Sequence, residues 1–387
     1  MTEHLTVRYC RSWCSTHYFP AVWWYLVGLV WNSCHVSVLS PQMAHDTFLF
    51  CLIFIRVCKK WHSLVKDKSL WTYVDLTNDY EVPIHSIKQR PRLLQFMQTY
   101  LGKTLKSLRT GFCSVNNKVL EFLHYHCPNL QELILEGNVN QELELTLLPE
   151  SLTCLAIHGM TPTDYPKNWY RPLTPEYFPN LTSISLQDPR DPDQTILQIS
   201  RLKTLRHLKL VDFDKEPISR PAFLSLVRNL SKLESLSLEG CCGAPADYSQ
   251  LISRYLINLK RLKLDDSDFV RGEDLKSLVS LRHLETLSVE CCQHITFQHL
   301  AKTVQAMSSL RNLHFCAHKC RYIRRHKLFE KFAFIQSLNP DLQLYYAYWP
   351  HWEEYLMEPD SDSDMNQFGD DDAPDLCSGW DSDSTAE

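Results

Sequence analysis

The 387-residue chain contains only ten glycines. That is too few for a collagen-like or glycine-rich disordered protein. They form no phosphate-cradling loop, and there is no Gly-x-Ser-x-Gly elbow to expose a nucleophilic serine. No paired carboxylates stand in a frame that suggests acid–base catalysis. A bilayer-spanning helix needs about 20 apolar residues. The longest apolar run, Ala21–Trp31, has eleven and is followed at once by Asn32, Ser33, Cys34 and His35. A second run, Phe48–Ile55, is shorter still. Membrane engagement is therefore not expected. The net charge is -5, but residues 358–387 hold eleven Asp or Glu and no Lys or Arg. The rest carries 40 basic against 34 acidic residues, a net of +6. This mildly basic body lacks a dense Lys/Arg stripe interleaved with aromatics, so no nucleic-acid partner is expected.

What the chain has is a repeated frame, most legible at Leu233–Cys241, LESLSLEGC. Its three apolar positions recur at Leu105/Leu108/Thr110, Leu130/Leu133/Leu135, Leu152/Leu155/Ile157, Leu181/Ile184/Leu186 and Leu205/Leu208/Leu210. They continue through Leu233/Leu236/Leu238, Leu259/Leu262/Leu264, Leu284/Leu287/Val289 and Leu310/Leu313/Phe315. Successive starts lie 22 to 29 residues apart. The last two apolar residues of each copy are two apart and share one face of a short strand. A single copy cannot bury that face, whereas stacked copies bury it as one continuous core. Segments such as Leu120–Cys127 and Phe297–Met307 return the chain as helices on the outer side. A tenth, divergent copy is expected around Asp341–Leu344, after a helix over Lys327–Leu338. Thr161–Pro179, with five prolines, reads as a loop.

Nine copies at this period resemble the leucine-rich repeat. The implied fold is α/β, a solenoid with a curved parallel sheet inside and helices outside. Cysteines follow the strand at Cys113, Cys241 and Cys292. With the continuation Cys292-x-x-Ile295-Thr296, they resemble the cysteine-containing repeats joined to F-boxes. The chain has fifteen cysteines; six lie in or just after repeat strands and read as reduced, buried thiols.

A second resemblance lies upstream. Val57-Cys58, Trp61, Leu64, Leu70-Trp71 and Val74-Asp75-Leu76 follow one another as in the second half of an F-box. Asp67 is placed to cap the short helix carrying Leu70 and Trp71. The front half departs from the family: Ser40–Ile55 has no Leu-Pro opening and carries a continuous apolar run. The expected organisation is an atypical aromatic- and Cys-rich segment (1–55), a partial F-box (56–82), a linker and capping helix (83–104), the array with its C-terminal cap (105–357) and an acidic disordered tail (358–387). Ser361, Ser378 and Ser384 each have an acid three residues on, as acidophilic kinases prefer. The tail could fold back onto Arg321, Arg324, Arg325 and Lys327.

The resemblance implies a substrate receptor of a Skp–cullin–F-box (SCF) ubiquitin ligase. Val57, Cys58, Trp61, Leu64 and Trp71 would contact the Skp adaptor, which links to the cullin–RING core. The repeats would capture an unidentified protein substrate, and the chain would perform no bond chemistry itself. The alternative is a leucine-rich-repeat scaffold that does not assemble with the ligase, because the first F-box helix is missing. If the leucines point inward, the concave face presents Glu132, Ile134, Glu136, His158, His207, Lys209, Glu239, Arg261, Lys263, Asp265, Glu290 and His314. This mixture of signs suits a protein partner. His314, Cys316, His318, Cys320 and His326 approach a metal-ligand pattern, but spacing by one residue does not suit zinc, and neither metal nor cofactor is expected. The implied location is cytoplasmic or nuclear.

Overall fold

The computed structural model describes residues 66–76, 90–110, 115–136, 143–159, 168–212, 218–240, 243–267, 269–292, 294–316 and 325–347. Eleven strands form one sheet: β1 Tyr73–Leu76, β2 Ser107–Thr110, β3 Glu132–Glu136, β4 Cys154–His158, β5 Ser183–Gln187, β6 His207–Val211, β7 Ser235–Glu239, β8 Arg261–Lys263, β9 Thr286–Val289, β10 Asn312–Cys316 and β11 Gln343–Ala347. Each pairs in parallel with the next, in strict sequence order, and the sheet is open. The helices are α1 Arg90–Tyr100, α2 Asn117–His126, α3 Pro192–Ile199, α4 Arg220–Asn229, α5 Tyr248–Tyr255, α6 Gly272–Leu278, α7 Phe297–Ala306 and α8 Arg325–Leu338. This is a leucine-rich-repeat solenoid, with strands on one side and helices on the other.

The register aligns the repeated leucines. Leu208 lies opposite Leu236, which lies opposite Leu262 and then Leu287. Leu236 and Leu287 are fully buried, as are Leu105, Leu130, Leu152, Leu181, Leu205, Leu259, Leu284 and Leu310 at the head of their copies. Burial of about 25 cal/mol per Å² of apolar surface, repeated at each copy, is what holds the stack together.

Polar residues tie the copies at the strand entry. The residue just before the first leucine reaches back to a carbonyl of the preceding copy. Asn129 donates to Lys103 O at 2.8 Å, Ser151 to Leu130 O at 2.6 Å, and Asn180 to Glu150 O at 3.1 Å. Thr204 donates to Leu181 O at 2.6 Å, Asn258 to Ser231 O at 3.0 Å, and Ser309 to Leu284 O at 2.9 Å. These bonds satisfy carbonyls that a turn would otherwise leave unpaired.

A second device stops the strands. Two residues beyond the last apolar position the backbone enters the left-handed region in six copies: Gly159, Asp188, Asp212, Gly240, Asp266 and Cys291. Gly and Asp tolerate that conformation best. One residue further, Ser267 donates to Leu238 O at 3.3 Å and Cys292 to Leu264 O at 3.0 Å. Hydroxyl and thiol thus do the same job in successive copies. Burial pushes the thiols of Cys292 and Cys127 up to about 12.

The structure extends the array at both ends of the nine copies. Gln343–Ala347 supplies a strand next to β10, where a divergent tenth copy is expected. At the other end, Tyr73–Leu76 pairs with β2, so the sheet begins inside the segment that resembles an F-box. Between β4 and β5 the proline-rich segment does more than span. Trp169, Leu173 and Phe178 are buried there, and the Trp169 indole N–H donates to Arg190 O at 3.0 Å. Prolines disfavour a helix, and these three side chains cover the sheet in its place.

Candidate functional site

Outward-facing residues of the strands form rows across the sheet. The residue between the last two apolar positions gives one row: Ser185, Lys209, Ser237, Lys263, Ser288 and His314 from β5 to β10. The row on its N-terminal side holds Ser183, His207, Ser235, Arg261, Thr286 and Asn312. From β5 to β10 these two rows contain no carboxylate and no aliphatic side chain. The carboxylates stand at the strand ends: Glu239 closes β7, and Asp265 and Glu290 lie just past β8 and β9.

Lys209, Glu239, Lys263 and Asp265 come together as one network. Glu239 accepts from Lys209 at 2.8 Å and from Lys263 at 3.1 Å, and Lys263 also reaches Asp265 at 3.1 Å. Ser237 donates to Glu239 at 2.7 Å. Burial alone would raise the Glu239 carboxyl, but Lys209, Ser237 and Lys263 outweigh it and the group is held below its ordinary value. For Lys263 burial opposes the charge, while Asp265 and Glu239 prevail and raise it.

Asp265 lies beside this face but does not present a free carboxylate. It is 7% exposed and accepts from the Ser288 hydroxyl at 2.6 Å and the Glu290 amide at 2.8 Å. β8 ends at Lys263, so the alternation of faces does not carry through to residue 265, and Asp265 fixes the turn. Ile134 is also buried. The remaining positions are half-buried or exposed. Glu132 accepts from Ser107 at 2.7 Å. His158 lies 2.7 Å from the Ser185 hydroxyl. His207 lies 3.4 Å from Arg261 across the small Ser235. His314 stacks on Tyr345 with centroids 4.4 Å apart and approaches Glu290 at 3.7 Å. Glu136 ends β3 opposite His158.

Burial first, then Lys209, holds the His158 imidazolium below its ordinary pKa. Burial and then Arg261 do the same for His207. The serines of the central row and Tyr345 were not singled out by sequence reasoning. Their signal was nonetheless present, because the middle residue of each Leu-x-Leu must face outward.

At the upstream end, Asp67 caps the short 3-10 helix Lys68–Leu70, accepting from the Ser69 amide at 2.9 Å. Leu70 is exposed, whereas Trp71 is 2% exposed. The Trp71 ring meets Phe96 edge-on at 5.2 Å and Tyr100 at 5.3 Å, joining this segment to α1. Val57, Cys58, Trp61 and Leu64 lie outside the described residues, as do the run Ala21–Trp31 and the acidic tail. His318 and Cys320 also lie outside them, and among the described residues no group of three or more His, Cys, Asp or Glu could hold a metal ion. Among the described residues no helix is long and apolar enough to cross a membrane.

Sequence comparison adds the following. The chain is 27% identical over 249 residues to F-box/LRR-repeat protein 12 of Homo sapiens, covering 62% of this chain and 71% of that protein. The Mus musculus protein of that name is 26% identical over 249 residues, with the same coverage, and the Bos taurus protein 26% over 247, covering 61% of this chain and 71% of that protein. No family model matches the chain. Among solved structures, the leucine-rich repeat-containing protein LegL7 of Legionella pneumophila is similar with a TM-score of 0.45 and 13% identity, covering 70% of this chain and 89% of that one. An internalin of Listeria monocytogenes gives a TM-score of 0.35 and 14% identity, covering 67% and 89%.

Proposed function

We propose that the chain is the substrate-recognition subunit of an SCF-type ubiquitin ligase. The repeats bind the protein to be ubiquitylated, and the F-box segment docks the Skp adaptor and, through it, the cullin–RING core. The observation that carries this reading is the 249-residue similarity to F-box/LRR-repeat protein 12, joined to a sheet face lined by polar and charged side chains. Such a face suits a protein partner. The chain itself does no bond chemistry; acceleration comes from holding a substrate lysine near the charged ubiquitin carrier.

Within this reading Val57, Cys58, Trp61 and Leu64 form the adaptor face. The burial of Trp71 against Phe96 and Tyr100 favours a different part for it, fixing the F-box segment to the array. The substrate face centres on His207, Lys209, Arg261 and Lys263, with Glu239 holding both lysines. Glu132, Glu136, His158, Glu290 and His314 flank that centre. The missing Leu-Pro opening supports a second reading, a repeat scaffold with no ligase link.

Co-purification separates the two. The full chain and its Trp61→Ala variant are expressed in cells and the bound proteins identified. Recovery of Skp and cullin by the first but not the second supports the receptor reading. If neither recovers the adaptor, while a version given a Leu-Pro-type first helix does, the scaffold reading holds.

A further inference from the structure

All strands run in one direction, so their beginnings line one edge of the array and their ends the other. Among the described residues, the turns entering β6–β11 and those leaving β5–β9 carry opposite charge. The turns that enter β6–β11 (residues 200–206, 230–234, 256–260, 280–285, 307–311 and 338–342) hold seven Lys or Arg against three carboxylates. The turns that leave β5–β9 (188–193, 212, 240, 243–247, 265–267, 269–274 and 290–292, among the described residues) hold ten carboxylates against two arginines. Helix dipoles explain the signs, since helices end at the first edge and begin at the second. They do not neutralise the first edge. Glu234 sits between Lys260 and Arg206, at 2.9 and 2.6 Å; their hydrogen bonds draw its carboxyl down to about 2. Arg311 meets Asp341 at 3.1 Å. Four positive charges remain in excess, on a band where Arg206, Lys232, Arg282 and Arg311 are exposed and Arg261, which opens β8, is exposed beside them.

We infer that this band is the docking site of the chain's own acidic segment, residues 358–387. That segment carries eleven carboxylates and no cation, the complement of the band. The path is short enough. β11 ends at Ala347 beside β10, and the ten residues 348–357 can span about 33 Å. Crossing the width of a five-residue strand takes about 17 Å. The band from β6 to β11 is five strand spacings, about 24 Å, well within reach of the thirty residues that follow. Docked there, the segment lies along the border of the outward face at Arg261 and His207. The inference does not depend on ligase assembly.

Carbodiimide coupling of the full chain tests it, because the reagent joins carboxylates only to amines in contact. Peptide mass spectrometry at low salt should find residues 358–387 joined to Lys203, Lys232 and Lys260 about tenfold more often than to the exposed Lys118 and Lys302, the lower end of what electrostatic focusing achieves. The links should lie within one chain. The preference should vanish in Arg206→Gln/Arg282→Gln/Arg311→Gln, checked for an unchanged thermal midpoint. It should also fall in Asp370→Asn/Asp371→Asn/Asp372→Asn, which alters no residue of the array. Links spread evenly over all lysines, or links that join two chains, would overturn the inference.

Discussion

Replacing Leu236 by Ala tests whether the array is held by its inward row. Leu236 is fully buried, flanked in register by Leu208 and Leu262, each 1% exposed. The substitution removes three carbons, about 2.4 kcal/mol of transfer free energy at about 0.8 per carbon. A residual cavity of roughly 50 Å³ adds about 1.2 kcal/mol at about 24 cal/mol per Å³. The expected loss is therefore roughly 3–4 kcal/mol. Ser237, next in the chain, faces the other way and donates to Glu239 at 2.7 Å. Its change to Ala should cost about 0.5–1.5 kcal/mol, the net worth of one hydrogen bond. Urea unfolding followed by far-UV circular dichroism reads both. With m near 3 kcal/mol/M, Leu236→Ala should lower the midpoint by about 1 M. The reasoning fails if Leu236→Ala costs under about 1 kcal/mol, or if Ser237→Ala costs as much.

Two further outcomes follow from the same geometry. Gly240→Ala should destabilise by about 1–3 kcal/mol in the same unfolding assay; Gly240 has φ +61°, and a Cβ there would lie 2.6 Å from the Asp212 carboxylate. Stability should fall as pH drops below about 6.5, because His158 and His207 titrate lower in the folded chain than when unfolded, so the unfolded state binds more protons in that window. That loss should shrink in His158→Gln, and a separate loss below about pH 4.3 should shrink in Glu239→Gln, whose carboxyl is held low in the folded state; thermal midpoints against pH would decide both.

The repeated leucines were legible because period-two alternation and a fixed period leave few other structures for them. β1 was not. Tyr73–Leu76 lacks the leucine that opens each copy, and only its pairing of Val74 with Leu108 makes it a strand of this sheet. Trp71 was hidden for a related reason. Its neighbours Phe96 and Tyr100 stand on α1, and no local pattern announces a contact across some twenty-five residues. The left-handed positions were half-visible. Gly159, Asp188, Asp212, Gly240 and Asp266 suit that backbone, but Cys291 gives no such hint and follows only from its place in the frame. Asp265 was misplaced by carrying the strand alternation past Lys263, where β8 ends.

The outward face gains its character from pairs already made within the chain. Lys209 and Lys263, the register neighbours of Ser237 on either side, lean to one carboxylate, and this covers Ser237, which is 8% exposed. A partner approaching β6–β8 therefore meets ammonium groups and their aliphatic stems, not an apolar pocket. To gain affinity there it must offer acceptors that the lysines prefer to Glu239, since a charge left unpaired on closing the interface is costly. Few residues of an interface carry most of its energy. Arg261, exposed and, among the described residues, with its guanidinium bound only to a half-buried imidazole at 3.4 Å, gives up less than Lys209 or Lys263 on meeting a partner's carboxylate. The geometry thus ranks Arg261 above Lys209 and Lys263 as the residue on which an acidic partner would anchor.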